Sequence, residues 1–272
     1  MRTATSEIDL RRATSVDEAL AILGEERRTP VAGATDVYVA LNFGTTPERR
    51  FLDIWALDEL RGITTRGDIL VLGALATYTA CLRSPLVRER LPMLAEASAL
   101  VGGVQIQNRG TLGGNVANAS PAGDSLPVLA AADAIVVLRS LAGERRVPLA
   151  EFFTGYRATV LRPDELIVAV EVPPVAGKQW FRKVGTRAAQ AISKVVVAGV
   201  RGPAIRFALG SVAPVVVRAR ETERALASGA SIDEAMEVLG REIAPIDDVR
   251  STGDYRRTVA RNLLRRFWSD TA

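Results

Sequence analysis

Residues 102–124 read Gly-Gly-Val-Gln-Ile-Gln-Asn-Arg-Gly-Thr-Leu-Gly-Gly-Asn-Val-Ala-Asn-Ala-Ser-Pro-Ala-Gly-Asp. Six of these 23 residues are glycine, bulky side chains are few, and amides and hydroxyls are frequent. Apolar helical patterns flank the stretch on both sides. Consecutive glycines, as in Thr111-Leu112-Gly113-Gly114-Asn115, reach backbone conformations closed to other residues and let the chain come close to a ligand. Such a turn aims N–H groups into a concavity suited to an anion, and a following helix start adds a favourable dipole. Gly33-Ala34-Thr35-Asp36 has the same make-up, between a short apolar strand (Thr29–Ala32) and a helical pattern running through Leu41. Two such turns together can grip a pyrophosphate; one alone reads first as a tight turn. Neither matches a Walker A loop or the GxGxxG dinucleotide pattern.

Composition narrows the chemistry. The chain has 272 residues, a net charge of +4, no histidine and one cysteine, Cys81. A Ser-His-Asp triad, a Cys-His pair, a His-ligated metal, a histidyl-linked flavin and a four-cysteine iron–sulfur or zinc site are all excluded. No catalytic residue and no metal ligand is nominated. Acidic residues sit among the arginines almost everywhere, and only 5% of residues are aromatic, so nothing suggests a nucleic-acid surface. The stretch MRTATSEIDLRR lacks the apolar core of a secretory signal, the longest apolar run is too short to span a bilayer, and the lone cysteine suits a reducing compartment. The expectation is a cytoplasmic protein without a membrane span.

Outward from the glycine-rich centre, the pattern predicts a strand near Ile8–Arg12 and a helix opened by Ser15 with Glu18 three residues on. Short strands follow at Phe51–Ile54 and Ile69–Leu72, then helices after Thr77 and over Leu91–Val101. A hairpin-like pair at Ala134–Leu138 and Arg145–Pro148 precedes a strand, Leu166–Val172, that stops at Pro173-Pro174. Beyond that point three strands (Trp180–Val184, Lys194–Val200, Ala204–Leu209) read as a meander, followed by helices at Arg218–Leu226, Asp233–Glu242 and Asp254–Trp268. Strands then helices argue for an α+β unit.

Two single-residue readings stay open at this level. Asp124 is either the N-cap of a helix over Ser125–Ala132 or an acceptor for ribose or ribityl hydroxyls. Lysine occurs only at 178, 183 and 194, in a chain with 32 arginines. A compact ammonium is not interchangeable with a planar guanidinium at a tight site. Lys178 reads as ordinary surface; Lys183 and Lys194, at strand ends around Gly185-Thr186-Arg187, read as candidates to face a ligand.

At these segments the sequence resembles the FAD-binding subunit of the molybdenum hydroxylases, the family of xanthine dehydrogenase and carbon monoxide dehydrogenase. The resemblance is carried by Val31-Ala-Gly-Ala-Thr-Asp36, by Gln107 through Asp124, and by Pro245-Ile-Asp-Asp-Val-Arg-Ser251 with Tyr255-Arg256. Phe152-Phe-Thr-Gly-Tyr156 and Phe181-Arg-Lys-Val-Gly-Thr-Arg187 also fit, and the match is collinear over nearly the whole chain. It implies an α+β protein: a two-part FAD-binding domain of the vanillyl-alcohol-oxidase type at 1–173 (parts 1–57 and 58–173) and a smaller α+β domain, an antiparallel sheet plus helices, at 174–272.

The resemblance further implies non-covalent FAD. Val31, Ala32, Gly33, Ala34, Thr35, Asp36 and Val37, with Thr111, Leu112, Gly113, Gly114 and Asn115, would hold its pyrophosphate. Asp124 would bind the adenosine side or the linker, Ile167 would give an apolar contact, and Lys183 would touch the flavin. Ile192 would pack on the isoalloxazine ring, and Val101 stands where some members place an aromatic near FAD. A cationic Lys183 would favour the reduced, anionic flavin. Molybdopterin and [2Fe–2S] clusters would belong to a large and a small partner subunit, in a dimer of heterotrimers, with electrons passing through FAD to an external acceptor. Two departures stand out: Ala34 where the family often has a second glycine, so that the turn must tolerate a methyl group, and Gln190-Ala191 where NAD-reducing members can carry acidic residues. The alternatives are a stand-alone FAD-dependent reductase or oxidase of the same superfamily, and a flavin-free structural subunit.

Overall fold

The structure, a computed structural model, describes residues 5–272. Its first unit is a parallel sheet of β1 (Asp9–Arg12), β2 (Thr29–Val31) and β3 (Arg50–Asp53) in the order β1-β3-β2. Parallel neighbours need crossovers, here α1 (Val16–Glu25) and α2 (Val37–Phe43). Ser15 caps α1 by accepting the Glu18 N–H at 3.1 Å, as the sequence indicates. The Glu18 carboxylate closes the turn on Thr14 rather than on Ser15, taking both its N–H and its hydroxyl. Val16, Ala19, Leu20 and Leu23 of α1 bury against Leu52 and Ile54.

The second unit begins with the β4 (Ile63–Arg66) and β5 (Ile69–Gly73) hairpin. A run of helices follows: α3 (Tyr78–Arg83), α4 (Pro85–Arg90), α5 (Pro92–Ala99), α6 (Val104–Arg109), α7 (Leu112–Asn118) and α8 (Ser125–Ala131). The glycine-rich stretch is thus two short helices. The Thr111 hydroxyl caps the second by accepting the Gly114 N–H at 3.2 Å. Next come β6 (Ile135–Ser140), β7 (Gly143–Pro148), α9 (Leu149–Phe152), the small β8 (Phe153–Gly155) and β9 (Ala158–Thr159) ladder, and β10 (Leu166–Val172). β10 is the centre of an antiparallel sheet ordered β4-β5-β10-β6-β7.

The third unit is the meander β11 (Lys178–Val184), β12 (Val195–Arg201), β13 (Ile205–Gly210) and β14 (Val217–Arg218), paired in sequence order. Helices α10 (Arg220–Ala227), α11 (Ile232–Glu242) and α12 (Gly253–Asp270) follow. In β12 the residues alternate between two cores. Val196, Ala198 and Val200 face α8 and the middle unit; Val195 and Val197 face α10–α12. A strand buried on both faces reads as the unbroken apolar run Val195–Val200. Gly199 makes room for Phe267, since a Cβ there would stand 2.6 Å from that ring. Every residue of α8 is buried, because the helix lies between the two antiparallel sheets. This shared layer fixes the middle and C-terminal units against each other, and the residues of interest converge there.

Candidate functional site

The two glycine turns meet. A Cβ on Gly33 would lie 1.7 Å from the Arg109 carbonyl oxygen and 3.2 Å from the Gly110 nitrogen. Only glycine permits that backbone-to-backbone approach. One turn further on, Asp36 faces Asn118 and Arg157. Exclusion of water by its neighbours raises the Asp36 carboxyl pKa, and Arg157 and then Asn118 draw it back. Arg157 also donates to Asn118 Oδ1 at 2.5 Å. Asn118 and Arg157 were not singled out in the sequence, because no spacing rule links them to Asp36.

The turns differ in what they leave unbonded. In the first, Ala34 accepts from Tyr38 N–H and Asp36 from Ala40 N–H, while the N–H groups of Ala32, Gly33, Ala34 and Thr35 find no acceptor among the described residues. Ala34 takes φ 61°, the left-handed conformation that favours glycine, so the methyl group at this position is tolerated at a cost in backbone strain. In the second turn the N–H groups are already engaged. Leu112 donates to Ala76 O at 2.9 Å, Gly113 to Ala74 O at 2.8 Å, and Asn115 to Thr111 O at 3.0 Å, and Gly114 is bonded to the Thr111 hydroxyl. Gly113 is glycine because a Cβ would stand 2.7 Å from that of Ala74. This corrects the expectation that both turns offer rows of free N–H groups: the second is a packing device that sets the first.

Behind the turns lies a buried polar row. Asn115 Oδ1 accepts from Ser125 Oγ at 2.7 Å. The Tyr78 hydroxyl reaches Ser125, its ring packs on Gly110, and burial raises its pKa. Asp124 occupies the N-cap position of α8, as one of the two readings has it, but its side chain makes no capping bond. Its Oδ2 pairs instead with Lys183 Nζ at 2.6 Å, both side chains less than a tenth exposed. Lys183 also donates to Leu100 O at 2.9 Å. Burial raises the Asp124 pKa to about 6 against the opposing pull of Lys183. Its other oxygen, Oδ1, is buried with no hydrogen-bond partner among the described residues. A buried acceptor of this kind costs free energy until a donor meets it.

The remaining expected residues divide. Val101 is half-buried beside the Leu100 carbonyl that holds Lys183. Ile192 is 54% exposed, on the 185–194 loop whose Gln190 reaches Gly103. Val37 opens α2. Ile167 is buried within the core shared by the middle and C-terminal units. Of the other lysines, Lys194 lies 5.0 Å over the Tyr255 ring, and Lys178 bonds the chain's terminal carbonyl. A cleft of about 470 Å³ at the Pro173-Pro174 linker contains none of these residues.

The fit to FAD rests on donors and acceptors in this chain. A run of acceptorless N–H groups suits a pyrophosphate, and an unpartnered carboxylate oxygen suits a sugar or ribityl hydroxyl. Among the described residues no cluster of His, Cys, Asp and Glu could hold a metal ion, and no helix is long and apolar enough to cross a membrane.

Comparison with known proteins gives the same direction. Residues 6–175 match the FAD binding domain in molybdopterin dehydrogenase, and residues 180–271 match the CO dehydrogenase flavoprotein C-terminal domain. The carbon monoxide dehydrogenase medium chain of Hydrogenophaga pseudoflava is 33% identical, over 93% of this chain and 92% of that one. The xanthine dehydrogenase FAD-binding subunit of Escherichia coli O157:H7 is 28% identical, over 95% and 94%. A solved carbon monoxide dehydrogenase from Hydrogenophaga pseudoflava, which lacks the Mo-pyranopterin moiety of its cofactor, superposes with a TM-score of 0.90 at 30% identity, covering 97% of this chain and 98% of that one.

Proposed function

Because the chain belongs to the family of FAD-binding subunits of the molybdopterin dehydrogenases, we propose that it is the electron-transfer subunit of a molybdenum hydroxylase complex. It receives electrons from [2Fe–2S] clusters of a small partner subunit and delivers them to an external acceptor. A molybdopterin-binding large subunit oxidises the organic substrate, and the assembly is a cytoplasmic dimer of heterotrimers. The division at Pro173, with parts at 1–57 and 58–173, belongs to the same reading. It is supported by the middle sheet ending at Val172 and the meander beginning at Lys178.

The carrying observation is the convergence of the acceptorless N–H run at Ala32–Thr35 with the buried, half-partnered Asp124 carboxylate. Residues Val31–Val37 would hold the pyrophosphate, with the Thr111 hydroxyl and the Asn115 amide at its edge and Leu112, Gly113 and Gly114 shaping the wall. Asp124 would accept from a hydroxyl of the cofactor; Lys183, Val101, Ile167 and Ile192 would define the flavin end. When bound, FAD supplies redox chemistry that joins one-electron donors to a two-electron acceptor. The chain's own task is to hold and orient it and to set its electrostatic surroundings. Lys183 arrives already paired with Asp124, so the local field is that of an ion pair rather than of a bare cation, and Lys183 favours an anionic flavin less than a free ammonium would.

The test is purification of the tagged chain from its native source with flavin and metal analysis of each band. Flavin with this chain, and molybdenum and iron with two companions, is the expected result. Flavin in a chain that purifies alone would favour the stand-alone reductase or oxidase, and a complex with no flavin in this chain would favour the structural subunit.

A further inference from the structure

Beside the first turn lies a feature that the residue assignments above leave unused. Trp55 lies two residues past the end of β3, and the Ile54 N–H before it donates to Val31 O at 3.0 Å, so the segment sits next to the 31–36 turn. Two guanidinium groups lie over its ring: Arg109 at 3.7 Å from the centroid and Arg61 at 4.2 Å. Arg61 is neutralised by Asp58 at 2.9 Å and bonds the Trp55 carbonyl. Arg109 has no carboxylate partner and no side-chain hydrogen bond among the described residues. Its own carbonyl is the group that Gly33 packs against. The chain thus places an uncompensated, indole-braced guanidinium on the residue whose backbone touches the row of acceptorless N–H groups.

From this we infer that Arg109 is a phosphate-binding residue of the cofactor site and that Trp55 is its positioning residue. The inference rests on the FAD reading and deepens it. The physical case is one of charge. A pyrophosphate brings two negative charges to a turn whose N–H groups are neutral and whose residues, Val31–Val37, include no cation. Backbone N–H groups supply direction but no net charge; a guanidinium supplies both, through several N–H donors in a fixed plane. Left unbraced, a surface arginine loses rotamer freedom on gripping a ligand. Stacked on an indole face, it has lost much of that freedom before the ligand arrives.

The test uses the full-length apoprotein, with dissociation constants for FAD and riboflavin read from flavin fluorescence and ADP as a competitor for the pyrophosphate half. Arg109→Gln is expected to weaken FAD and ADP by about ten-fold or more and to leave riboflavin, which has no phosphate, unchanged. Arg109→Lys is expected to recover part of the loss and to keep the salt dependence of the wild type, which Arg109→Gln flattens. Trp55→Leu is expected to weaken FAD by about three-fold to five-fold, and the double variant to be no worse than Arg109→Gln alone, because the indole acts through the arginine. Melting temperatures of all variants exclude misfolding. FAD affinity of Arg109→Gln within two-fold of the wild type, or an equal loss for riboflavin, overturns the inference while leaving the FAD reading standing. A wild-type chain that binds neither FAD nor ADP removes both.

Discussion

Replacing Lys183 by methionine removes the one side-chain partner that the Asp124 carboxylate has among the described residues. In the wild type Asp124 is held at a pKa of about 6, against an ordinary value of 3.8, by burial that Lys183 only partly offsets. A raised pKa means that the folded state binds the proton better than the unfolded one. The associated stability is therefore full below about pH 4 and is lost as pH rises through about 6. That loss is worth about 3 kcal/mol at most, two pKa units at about 1.4 kcal/mol each. Without Lys183 the pKa climbs further, so the loss continues to higher pH; by pH 7.5 it approaches about 5 kcal/mol, the cost of keeping the carboxyl protonated.

The variant therefore pays about 2 kcal/mol more than the wild type through Asp124 at pH 7.5, and about 1 kcal/mol more for the lost Lys183–Leu100 bond. At pH 5 the carboxyl is largely protonated in both folded states, so only about 1 kcal/mol of difference remains. Urea unfolding of wild type, Lys183→Met and Asp124→Asn/Lys183→Met at the two pH values measures this. A cost of about 3 kcal/mol at pH 7.5 that shrinks to about 1 kcal/mol at pH 5, and a double variant more stable than Lys183→Met at pH 7.5, are the expected results. A pH-independent cost, or one under about 1 kcal/mol at pH 7.5, would refute the reasoning.

Further outcomes follow from single positions. Gly33→Ala drives a methyl group into the Arg109 carbonyl, so it should lower the melting temperature and abolish FAD retention together, at a cost above about 2 kcal/mol; retained affinity would show that the turns can part. Ala34→Gly relieves a left-handed φ of 61° and should raise stability by up to about 1 kcal/mol in urea unfolding. Cys81 is fully buried, and burial pushes its thiol pKa up to about 12, so it should resist alkylation at pH 8 in the folded chain and react on unfolding. Asp248 feels the upward push of burial, but hydrogen bonds from Arg250 and Arg256 outweigh it and hold the pKa to about 2. Its contribution should thus be present above about pH 4 and lost as pH falls through about 2, and Arg256→Met should reduce that acid-side slope while the Arg250 hydrogen bonds keep the remainder.

How far the sequence reaches can be read from particular residues. The Ser15 and Thr77 caps, the hairpins and the C-terminal meander with its three helices were all legible, because each is set by local chemistry: a hydroxyl at a helix start, or an apolar alternation between turns. Glycine content alone did not distinguish the two turns. At Gly33 the missing side chain lets one backbone meet another; at Gly113 it makes room for Ala74. Asp124 was ambiguous for the same reason, since a residue before a helix is compatible with capping, and its partner lies 59 positions away in another unit. The rarity of lysine gave Lys183 a signal that no arginine has in this chain. Trp55 and Arg109 gave none, because their stacking brings the segment after β3 against the end of α6, which only the folded chain creates.

The central claim is that residues of this chain form the FAD site and hold the cofactor without a covalent bond. The direct measurement is a titration of the purified apoprotein with FAD, followed by desalting and acid precipitation. Saturation at one FAD per chain, a flavin spectrum that survives desalting, and full release of the flavin into the acid supernatant are the expected results. A folded chain that shows no saturable FAD binding, or flavin that stays with the precipitate, would contradict it.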